Sequence, residues 1–535
     1  MRFLPVNIDA LLVELETLEQ VMALTDALQY KKDVWNINEI IPAARTVLVR
    51  YNSIILDGNK LAQYIAQLDV SSGQLRSGEL VTIPVSYNGE DLGFVAEYLG
   101  ISVADVISRH TSNEYQVAFC GFAPGFAYMV AKDIQLNVPR RQSPRVRIPA
   151  GSVALAGEFS SVYPQASPGG WQLIGVTNVK VWDIYRDEPA LFKPGTRVNF
   201  IDVSKTATKY SLPQSKKVTL PVEQQVQPQD IEILATGIQT LLQDNGRIGQ
   251  AELGISESGA MDKAALHSAN RILGNPTNEA VLEITQGGFK ARINSAMLIA
   301  VTGASCEIKV TTISGESYFA HMYQPIQLEE GDIVHLGNVQ YGVRSYVAVR
   351  GGLQIQPILA SCSFDTLAQV GPNPLKVGQT LAIKNSQTFN ALSLNETPVI
   401  SYPCKDDVVE LDIMFGPRTD WFTQQAIQQL TSQLWQVTPA SNRIGLRLLG
   451  EIPLEREKQQ ELPSEGTCMG AIQIPANGQP VLFLNDHPLT GGYPVIAAVC
   501  NYHLDLAGQI PVNAKIKFNP IGVFKEFEGS HVNHV

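Results

Sequence analysis

The first third of the chain alternates strand-like and helix-like hydrophobic patterns. The segment DALLVELE (9–16) predicts a strand, and residues 17–29 then place their apolar side chains at helical spacing. RTVLVRYN (45–52) predicts a second strand, and GNKLAQYIAQL (58–68) predicts a second helix. This β-α-β-α order indicates a small α/β subdomain over residues 1–90.

The pattern then changes from mixed to mainly β. Residues 91–100 and 102–110 predict two short helices, the second capped by Ser102. After Tyr115, short apolar segments alternate with Gly, Pro and Ser turns. We therefore predict a β-barrel or a β-sandwich over residues 91–205.

A polar stretch divides the chain into two modules. Residues 206–230 are rich in Lys, Gln, Ser and Pro, which is typical of a linker. Two further β-rich parts follow, 231–395 and 396–535. The clearest helix among them begins after Asp262, a good N-cap residue, and ends at Gly274.

Two distant segments also resemble each other. Residues 148–171 and 474–493 both open with Ile-Pro-Ala and close with Gly-Gly-aromatic about twenty residues later. Two barrels built on one plan would explain the match, and chance would explain it as well.

Composition narrows the class of partner. The 535 residues contain 40 Lys plus Arg against 51 Asp plus Glu, a net charge of −11, which argues against nucleic-acid and anionic membrane partners. Six scattered cysteines without a CxxC pair indicate a reducing compartment and no zinc site. The N-terminus lacks signal-peptide features, and no apolar run reaches the roughly 18 residues of a membrane span. We expect a cytoplasmic protein with a small-molecule substrate and no metal ligand.

The string FCGFAPGFAYM (119–129) has two interpretations. It is either a core strand pair or a turn that exposes rings and bare backbone to a ligand. His110 lies just before it, and a lone histidine is more often structural than functional.

Three other stretches carry candidate chemistry. Four arginines lie within residues 140–147, forming either a solvated edge strand or an anion site. SPGGW (167–171) and TGGYP (490–494) are hairpin turns or places where a ligand approaches the backbone. The long loop 243–262 holds four glycines, and loops of this length are usually functional or disordered.

Together these motifs resemble bacterial ATP-dependent 5-oxoprolinase. The stretch from GFAPGFAYM to SPGGWQLIG resembles its B subunit. The stretches DNGRIGQAELGISESGAMD and SNRIGLRLLG to DHPLTGGYP resemble its C subunit. These two proteins were formerly called allophanate hydrolase subunits 1 and 2, so the chain resembles a B–C fusion.

The resemblance implies a mainly β fold with α/β parts: tandem cyclophilin-like β-barrels and a small N-terminal α/β domain. It also implies an ATP-hydrolysing cyclic amidase component that acts on C–N amide bonds. Such a component activates 5-oxo-L-proline for opening to L-glutamate with the separate A subunit of 5-oxoprolinase. ATP with Mg²⁺ is the expected cofactor, no biotin is expected on this chain, and a homo-oligomer is left open.

The resemblance further assigns residues to the sites. The implied catalytic residues are His110, Arg145, Arg443 and Asp486. The implied substrate-binding residues are Phe122, Pro124, Gly125, Phe126, Gly169, Gly170, Trp171, Asp244, Arg247, Asp262, Thr490, Gly491, Gly492 and Tyr493.

One segment departs from the family pattern. Where the family has a Leu-Gly-Ser-Arg-Ser-Thr segment and a Gly-rich loop, residues 353–381 place Cys362 at the position of the arginine. We therefore expect the middle barrel to be structural. Two competing functions stay open: a carboxyltransferase that works with a separate biotin carrier, and a non-enzymatic regulator of a histidine kinase.

Overall fold

Strands dominate the architecture. The computed structural model describes residues 1–71, 78–131, 136–141, 143–204, 229–384 and 390–529. These residues are 37% strand and 15% helix, and they confirm the predicted mainly β class with its barrels and small N-terminal α/β part. Of the predicted linker 206–230, all but residues 229 and 230 lie outside the described residues.

The N-terminal subdomain is an antiparallel sheet with two helices. Its elements are β1 (Arg2–Asn7), β2 (Ala10–Glu14), α1 (Leu18–Lys31), β3 (Ile37–Pro42), β4 (Thr46–Tyr51) and α2 (Gly58–Ala66). The strand order is β1-β2-β4-β3. The predicted strands and helices correspond to β2, β4, α1 and α2, whereas the pattern did not predict β1 and β3. Thr17 and Asp57 cap the two helices with their side-chain oxygens.

The first barrel follows. Its elements are β5 (Leu80–Val85), α3 (Leu92–Leu99), α4 (Val103–Ser112), β6 (Glu114–Cys120), β7 (Ala127–Ala131), β8 (Arg145–Ile148), β9 (Ser152–Ala156), β10 (Phe159–Val162), β11 (Ser167–Gly169), β12 (Gln172–Val176) and β13 (Arg197–Asp202). Seven strands form one sheet in the order β12-β9-β10-β7-β6-β13-β5, and β8 pairs with β11 in a separate ribbon. Ser102 caps α4 in a reciprocal capping box with Asp105, as predicted for the N-cap.

The middle domain is built on two long paired strands. Its elements are β14 (Ile231–Thr236), β15 (Gln239–Gln243), α5 (Lys263–Leu273), β16 (Val281–Thr285), β17 (Phe289–Ile293), β18 (Met297–Thr311), β19 (Ser317–Ala320), β20 (Pro325–Leu328), β21 (Ile333–Val349) and β22 (Thr380–Leu381). β18 and β21 pair along most of their length. The predicted helix is α5: the Asp262 side chain accepts a hydrogen bond from the Ala265 N–H at 2.8 Å, and Gly274 ends it at a φ of 68°.

The last domain is a closed barrel. Its elements are β23 (Val408–Phe415), α6 (Gln424–Ser432), β24 (Trp435–Val437), β25 (Gly445–Leu449), β26 (Glu465–Gly466), β27 (Ala471–Gln473), β28 (Val481–Phe483), β29 (Thr490–Gly491), β30 (Val495–Val499), α7 (Leu504–Ala507) and β31 (Lys515–Pro520). The barrel order is β23-β30-β27-β28-β25-β24-β31, and β26 and β29 form a separate ribbon.

The first and last barrels share one strand plan. In the first, β5 runs parallel to β13, which is antiparallel to β6; in the last, β23 runs parallel to β31, which is antiparallel to β24. In each barrel the Gly-Gly segment lies at a two-stranded ribbon, β8–β11 or β26–β29. Of the two explanations for the internal match, the structure therefore favours the shared plan over chance.

The N-terminal sheet also joins the two modules. Its second face packs Leu4, Leu12 and Leu48, all 0% exposed, against Phe483 and Val495 of the last barrel. The sequence pattern did not predict this shared core, which buries the sheet on both faces.

A charged cluster lies at the edge of that contact, and it predicts that the stability of the protein depends on pH. Glu39 on β3 lies 3.7 Å from Arg50, which also contacts Glu257 of the second module. Burial raises the pKa of Glu39 to about 7, against the charge of Arg50, which lowers it. The pKa of Glu39 is higher in the folded protein than in the unfolded chain, so protonated Glu39 stabilises the fold. This contribution to the free energy of unfolding is complete below about pH 4.5 and is lost as pH rises to about 7.

We expect the substitution Glu39→Gln to remove this dependence. The change in unfolding free energy across that window is at most about 3 kcal/mol. Thermal midpoints of wild type and variant, measured between about pH 5 and about pH 8, test it. The exposed Glu330→Gln should follow wild type, and parallel curves for wild type and Glu39→Gln would contradict the prediction.

Candidate functional site

The hairpin of residues 119–129 packs its rings into the core. Phe119 and Cys120 are 0% and 2% exposed, as the core-strand interpretation predicts. Phe126 is 1% exposed and is surrounded by aromatic rings whose centroids lie 5.1–5.3 Å away. These rings belong to Phe122, Tyr128, Tyr163 and Trp171. Phe126 and Trp171, which the resemblance assigns to substrate binding, are buried, and their rings hold the turn in place.

The backbone of the same turn contacts the second module. The Gly125 N–H donates to the Leu253 carbonyl at 2.8 Å. A Cβ on Gly121 would lie 2.6 Å from the Thr490 hydroxyl oxygen, and one on Gly254 would lie 2.5 Å from the Ala123 carbonyl. The turn is thus a docking contact between modules, and it brings the FAPGF motif next to TGGYP.

The two Gly-Gly segments meet at Arg140. A Cβ on Gly492 would lie 2.7 Å from Arg140 Nη1, and one on Gly170 would lie 4.0 Å from Arg140 Cβ. Neither glycine, nor Gly169 or Gly491, has a positive φ. Glycine at Gly492 therefore serves the close approach of the Arg140 guanidinium and not an unusual backbone conformation.

Polar groups of the last barrel complete this surface, which we call the Gly–Gly junction: Arg140, Gly170, Ser464, Gly492 and Tyr493. Arg140 Nε lies 3.1 Å from the Glu461 carboxylate, and Nη2 donates to Ser464 Oγ at 3.0 Å. Tyr493 is 39% exposed, and Gln473 Nε2 donates to its carbonyl at 3.0 Å.

Thr490, beside the junction, is 2% exposed, and its hydroxyl has no hydrogen-bond partner among the described residues. This hydroxyl lies against the bare backbone of Gly121, at the contact between the two modules.

Arg145 does not face this surface freely. Its guanidinium lies 2.9 Å from Asp91 and 3.0 Å from Glu90. Burial alone would raise the pKa of Asp91, but hydrogen bonds from Arg145 and the Leu173 N–H lower it below its ordinary value. Since Arg145 pairs with Gly169 across the β8–β11 ribbon, the structure gives it a positioning role in place of the predicted catalytic one.

His110 lies in the core of the first barrel. It is 0% exposed, its ring nitrogens lie 2.6 Å from the Tyr87 hydroxyl and 2.9 Å from Ser160 Oγ, and its ring is 4.3 Å from that of Phe200. Burial lowers the pKa of His110 to about 3, so the ring is neutral near pH 7. Its ring contacts are separate from those of Phe126. The predicted catalytic role is therefore corrected to a structural one.

Arg443 and Asp486 form a buried pair between the middle and last domains. Arg443 donates to both Asp486 oxygens at 2.9 and 3.0 Å, and also to Glu283. Ser258 and Thr366 occupy the remaining acceptor positions of Asp486 at 2.7 Å each.

Burial alone would raise the pKa of Asp486, but the charge and hydrogen bonds of Arg443 lower it below its ordinary value. With exposures of 2% and 0%, the two residues do not meet a substrate at the surface as predicted. They fix the loop that leads to Thr490.

Of the three remaining predicted polar residues, Asp244 and Arg247 bond within the middle domain, and Asp262 reaches from it to the last domain. Asp244 accepts hydrogen bonds from Ser361, Ser363 and the Cys362 N–H at 2.5–2.6 Å. Arg247 is 1% exposed and donates to the Ser363 carbonyl. Besides capping α5, Asp262 accepts a hydrogen bond from Gln509 of the last domain at 2.9 Å. The loop 243–262 therefore braces the tandem domains, and none of the three residues joins the Gly–Gly junction.

Comparisons with known proteins identify the family. The model for the carboxyltransferase domain, subdomain A and B, matches residues 253–520, and that for subdomain C and D matches residues 1–192. The chain belongs to the carboxyltransferase-domain family. In these terms, the Gly–Gly junction lies where the A/B portion of this carboxyltransferase-domain protein meets its C/D portion.

Individual relatives of this carboxyltransferase-domain protein match separate parts of the chain. The 5-oxoprolinase C subunit of Escherichia coli (strain K12) is 34% identical over 54% of this chain and 90% of that protein. The 5-oxoprolinase B subunit of Escherichia coli O157:H7 is 40% identical over 36% of this chain and 91% of that protein. The predicted resemblance to a B–C fusion is confirmed.

A solved structure matches nearly the whole chain. The crystal structure of TTHA0988 has a TM-score of 0.78 and 29% identity, covering 95% of this chain and 99% of that one. Within the described ranges, no helix is long and apolar enough to cross a membrane.

The junction contains residues that sequence reasoning does not select. Arg140 belongs to the arginine-rich segment that predicts an anion site, but the resemblance points to Arg145 within it. Ser464 carries no sequence signal, because its role depends on a contact between modules.

The contact between Gly121 and Thr490 gives a prediction about module docking. We expect Gly121→Ala to destabilise the protein by about 1–3 kcal/mol, because the added methyl group overlaps the Thr490 side chain. Combining it with Thr490→Ala should restore most of the thermal midpoint, since that change removes the two nearest atoms.

Gly93→Ala is the matched control, because a Cβ there meets nothing within 4 Å. An equal fall in the thermal midpoint for Gly93→Ala would contradict the docking contact. So would a double variant whose thermal midpoint stays as low as that of Gly121→Ala.

Proposed function

We propose that the chain is the B–C component of an ATP-dependent 5-oxoprolinase, which opens 5-oxo-L-proline to L-glutamate together with a separate A subunit. The observation that carries the proposal is that counterparts of the B and C subunits occur in one chain and meet at the Gly–Gly junction. Relatives that bear these two subunit names, each matched over about nine-tenths of its length, support it.

The chemistry of the junction is suited to this substrate. A lactam carbonyl is a poor electrophile, and transfer of the ATP γ-phosphoryl group to its oxygen creates a leaving group. That step needs guanidinium and backbone donors around anionic oxygens. Arg147, which is exposed on the same segment as Arg140, supplies such a guanidinium for phosphate. Arg140 and the bare backbone of Gly492 supply groups that hold the substrate itself.

Mg²⁺ is assigned to the nucleotide in this proposal. In the part of the chain that the structure describes, no group of three or more His, Cys, Asp or Glu side chains could hold a metal ion. We therefore place Mg²⁺ on the ATP phosphates and propose cytoplasmic action on a small-molecule substrate.

The experiment combines the purified chain with the A subunit of 5-oxoprolinase. We expect ADP and glutamate to appear only with both proteins, ATP and 5-oxo-L-proline. Arg292→Ala, which breaks an exposed ion pair with Glu232, is the matched control and should keep full turnover. No turnover with a partner of verified activity would refute the proposal.

The family description supports one alternative. A carboxyltransferase would accept a carboxyl group carried on biotin by a separate protein. In the same assay, a carboxylated biotin carrier replaces ATP and the A subunit, which distinguishes the two functions. Carboxyl transfer to a small acceptor without 5-oxoproline turnover would establish the alternative.

A further inference from the structure

We infer that Arg140 recognises the carboxylate of the substrate, and that Glu461 occupies its guanidinium until the substrate displaces it. This inference rests on the proposed function and deepens it: it names the residue that selects anionic lactams and an internal competitor for the same site.

The first argument is the geometry of the guanidinium. The Nε and Nη2 atoms form one edge of the arginine fork, the edge that binds a carboxylate through two parallel hydrogen bonds. In Arg140 this edge is divided between the Glu461 carboxylate at 3.1 Å and the Ser464 hydroxyl at 3.0 Å. A substrate carboxylate would replace the Glu461 oxygen and could also accept from Nη2.

The second argument is exposure. The side chains of Arg140 and Glu461 are 28% and 53% exposed. An ion pair this open to water is weak and is readily exchanged for another carboxylate.

Other arginines near the junction are held differently. Arg145 contacts Asp91, whose side chain is 6% exposed, and Arg418 contacts Glu465, which is 8% exposed. Arg456 donates to the Ile474 carbonyl and lies over the Tyr493 ring. Arg145 also contacts Glu90, which is 76% exposed, but its Nη2 atom stays paired with the buried Asp91. A ligand that takes Nη2 of Arg145 or Arg418 competes with a buried carboxylate, whereas on Arg140 it displaces only an exposed one.

The third argument is the contact that positions the fork. A Cβ on Gly492 would lie 2.7 Å from Arg140 Nη1, so the guanidinium packs closely against the backbone of the TGGYP segment. A Cβ on Gly170 would lie 4.0 Å from Arg140 Cβ, which is ordinary van der Waals contact. The Nη1 atom is therefore packed against backbone, while Nε and Nη2 meet Glu461 and Ser464.

The experiment measures KM and kcat for 5-oxo-L-proline with the A subunit present. We expect Arg140→Gln to raise KM about 10- to 100-fold with kcat within about 3-fold of wild type, as for loss of an interaction equally strong in ground and transition states. Arg140→Lys should fall between wild type and Arg140→Gln. Glu461→Gln should lower KM several-fold, because the competing carboxylate is gone.

Two controls make the outcome decisive. Glu457→Gln changes an exposed acid in the same segment and should leave KM unchanged. Calorimetry measures the affinities for 5-oxo-L-proline and for 2-pyrrolidinone, which lacks the carboxylate. Wild type should bind 5-oxo-L-proline more tightly, and the two affinities should become similar in Arg140→Gln.

The experiment separates failure of the proposed function from failure of this inference. Absence of wild-type turnover overturns the proposed function and this inference with it. Wild-type turnover with an unchanged KM in Arg140→Gln, or with a raised KM in Glu461→Gln, overturns the inference alone. Should Arg140→Gln fail to fold, the exposed Glu461→Gln variant decides the question.

Discussion

Replacing Arg443 by methionine is expected to destabilise the protein by about 3–5 kcal/mol, because it removes the cation that the buried carboxylates of Asp486 and Glu283 share. Asp486 and Glu283 have side chains 0% and 1% exposed, and both receive hydrogen bonds from Arg443. Removing the guanidinium leaves two negative charges facing each other across the contact between the middle and last domains. We expect a large fall in the thermal midpoint and loss of soluble protein.

The exposed pair Arg292–Glu232 provides the control. Its side chains are 46% and 31% exposed, so Arg292→Met should change the unfolding free energy by about 0–1 kcal/mol. Adding Asp486→Asn to Arg443→Met should recover part of the loss, since it removes one unpaired charge. A stable Arg443→Met variant without turnover would instead restore the catalytic role predicted from the sequence.

Helices were predictable where their ends are encoded locally. The Ser102 capping box and the Asp262 and Gly274 caps are formed by residues within one turn of the helix they end, so sequence alone locates them. Strand β1 was missed for a local reason as well. It contains Pro5, which cannot donate to a ladder and so obscures a strand pattern, and β1 indeed lies at the sheet edge.

The contact between modules has a signature in the hydrophobic pattern of β2. The run ALLV in β2 is continuously apolar and buried throughout, whereas a sheet with one solvated face would alternate. This pattern requires a second covering layer. The last barrel supplies that layer, but no local feature identifies which part of the chain does so.

The motifs point to the contact between modules, and the binding roles of their residues stay predictions. The Gly-Gly segments at Gly170 and Gly492 were selected because glycine next to an aromatic residue signals close backbone approach, and both lie beside Arg140. Carboxylate, imidazole and guanidinium groups suit acid–base chemistry and buried ion pairs equally well. Tertiary packing decides between the two, and it buried His110, Arg443 and Asp486 while leaving Arg140 partly exposed.

The second large effect is expected from Phe126→Ala, which should cost about 3–5 kcal/mol of unfolding free energy. Phe126 is 1% exposed, and its ring lies 5.3 Å from Trp171 and 5.1 Å from Tyr163, both edge to face. Phe126 is hydrogen-bonded through its carbonyl to the Gly121 N–H and packs on Trp171, the residue after Gly170, so we expect the hairpin and the ribbon at the Gly–Gly junction to loosen together. We therefore expect a lower thermal midpoint and, in the surviving folded protein, a raised KM for 5-oxo-L-proline.

Phe94→Ala is the matched control, because Phe94 is 45% exposed on α3 and its truncation opens no cavity. Phe126→Leu should lose less stability than Phe126→Ala, since leucine fills part of the space. Equal thermal midpoints for Phe126→Ala and Phe94→Ala would show that the aromatic cluster does not support the hairpin. A lower midpoint with an unchanged KM would show that the hairpin stabilises the barrel without positioning the junction, and the motif would then be core alone.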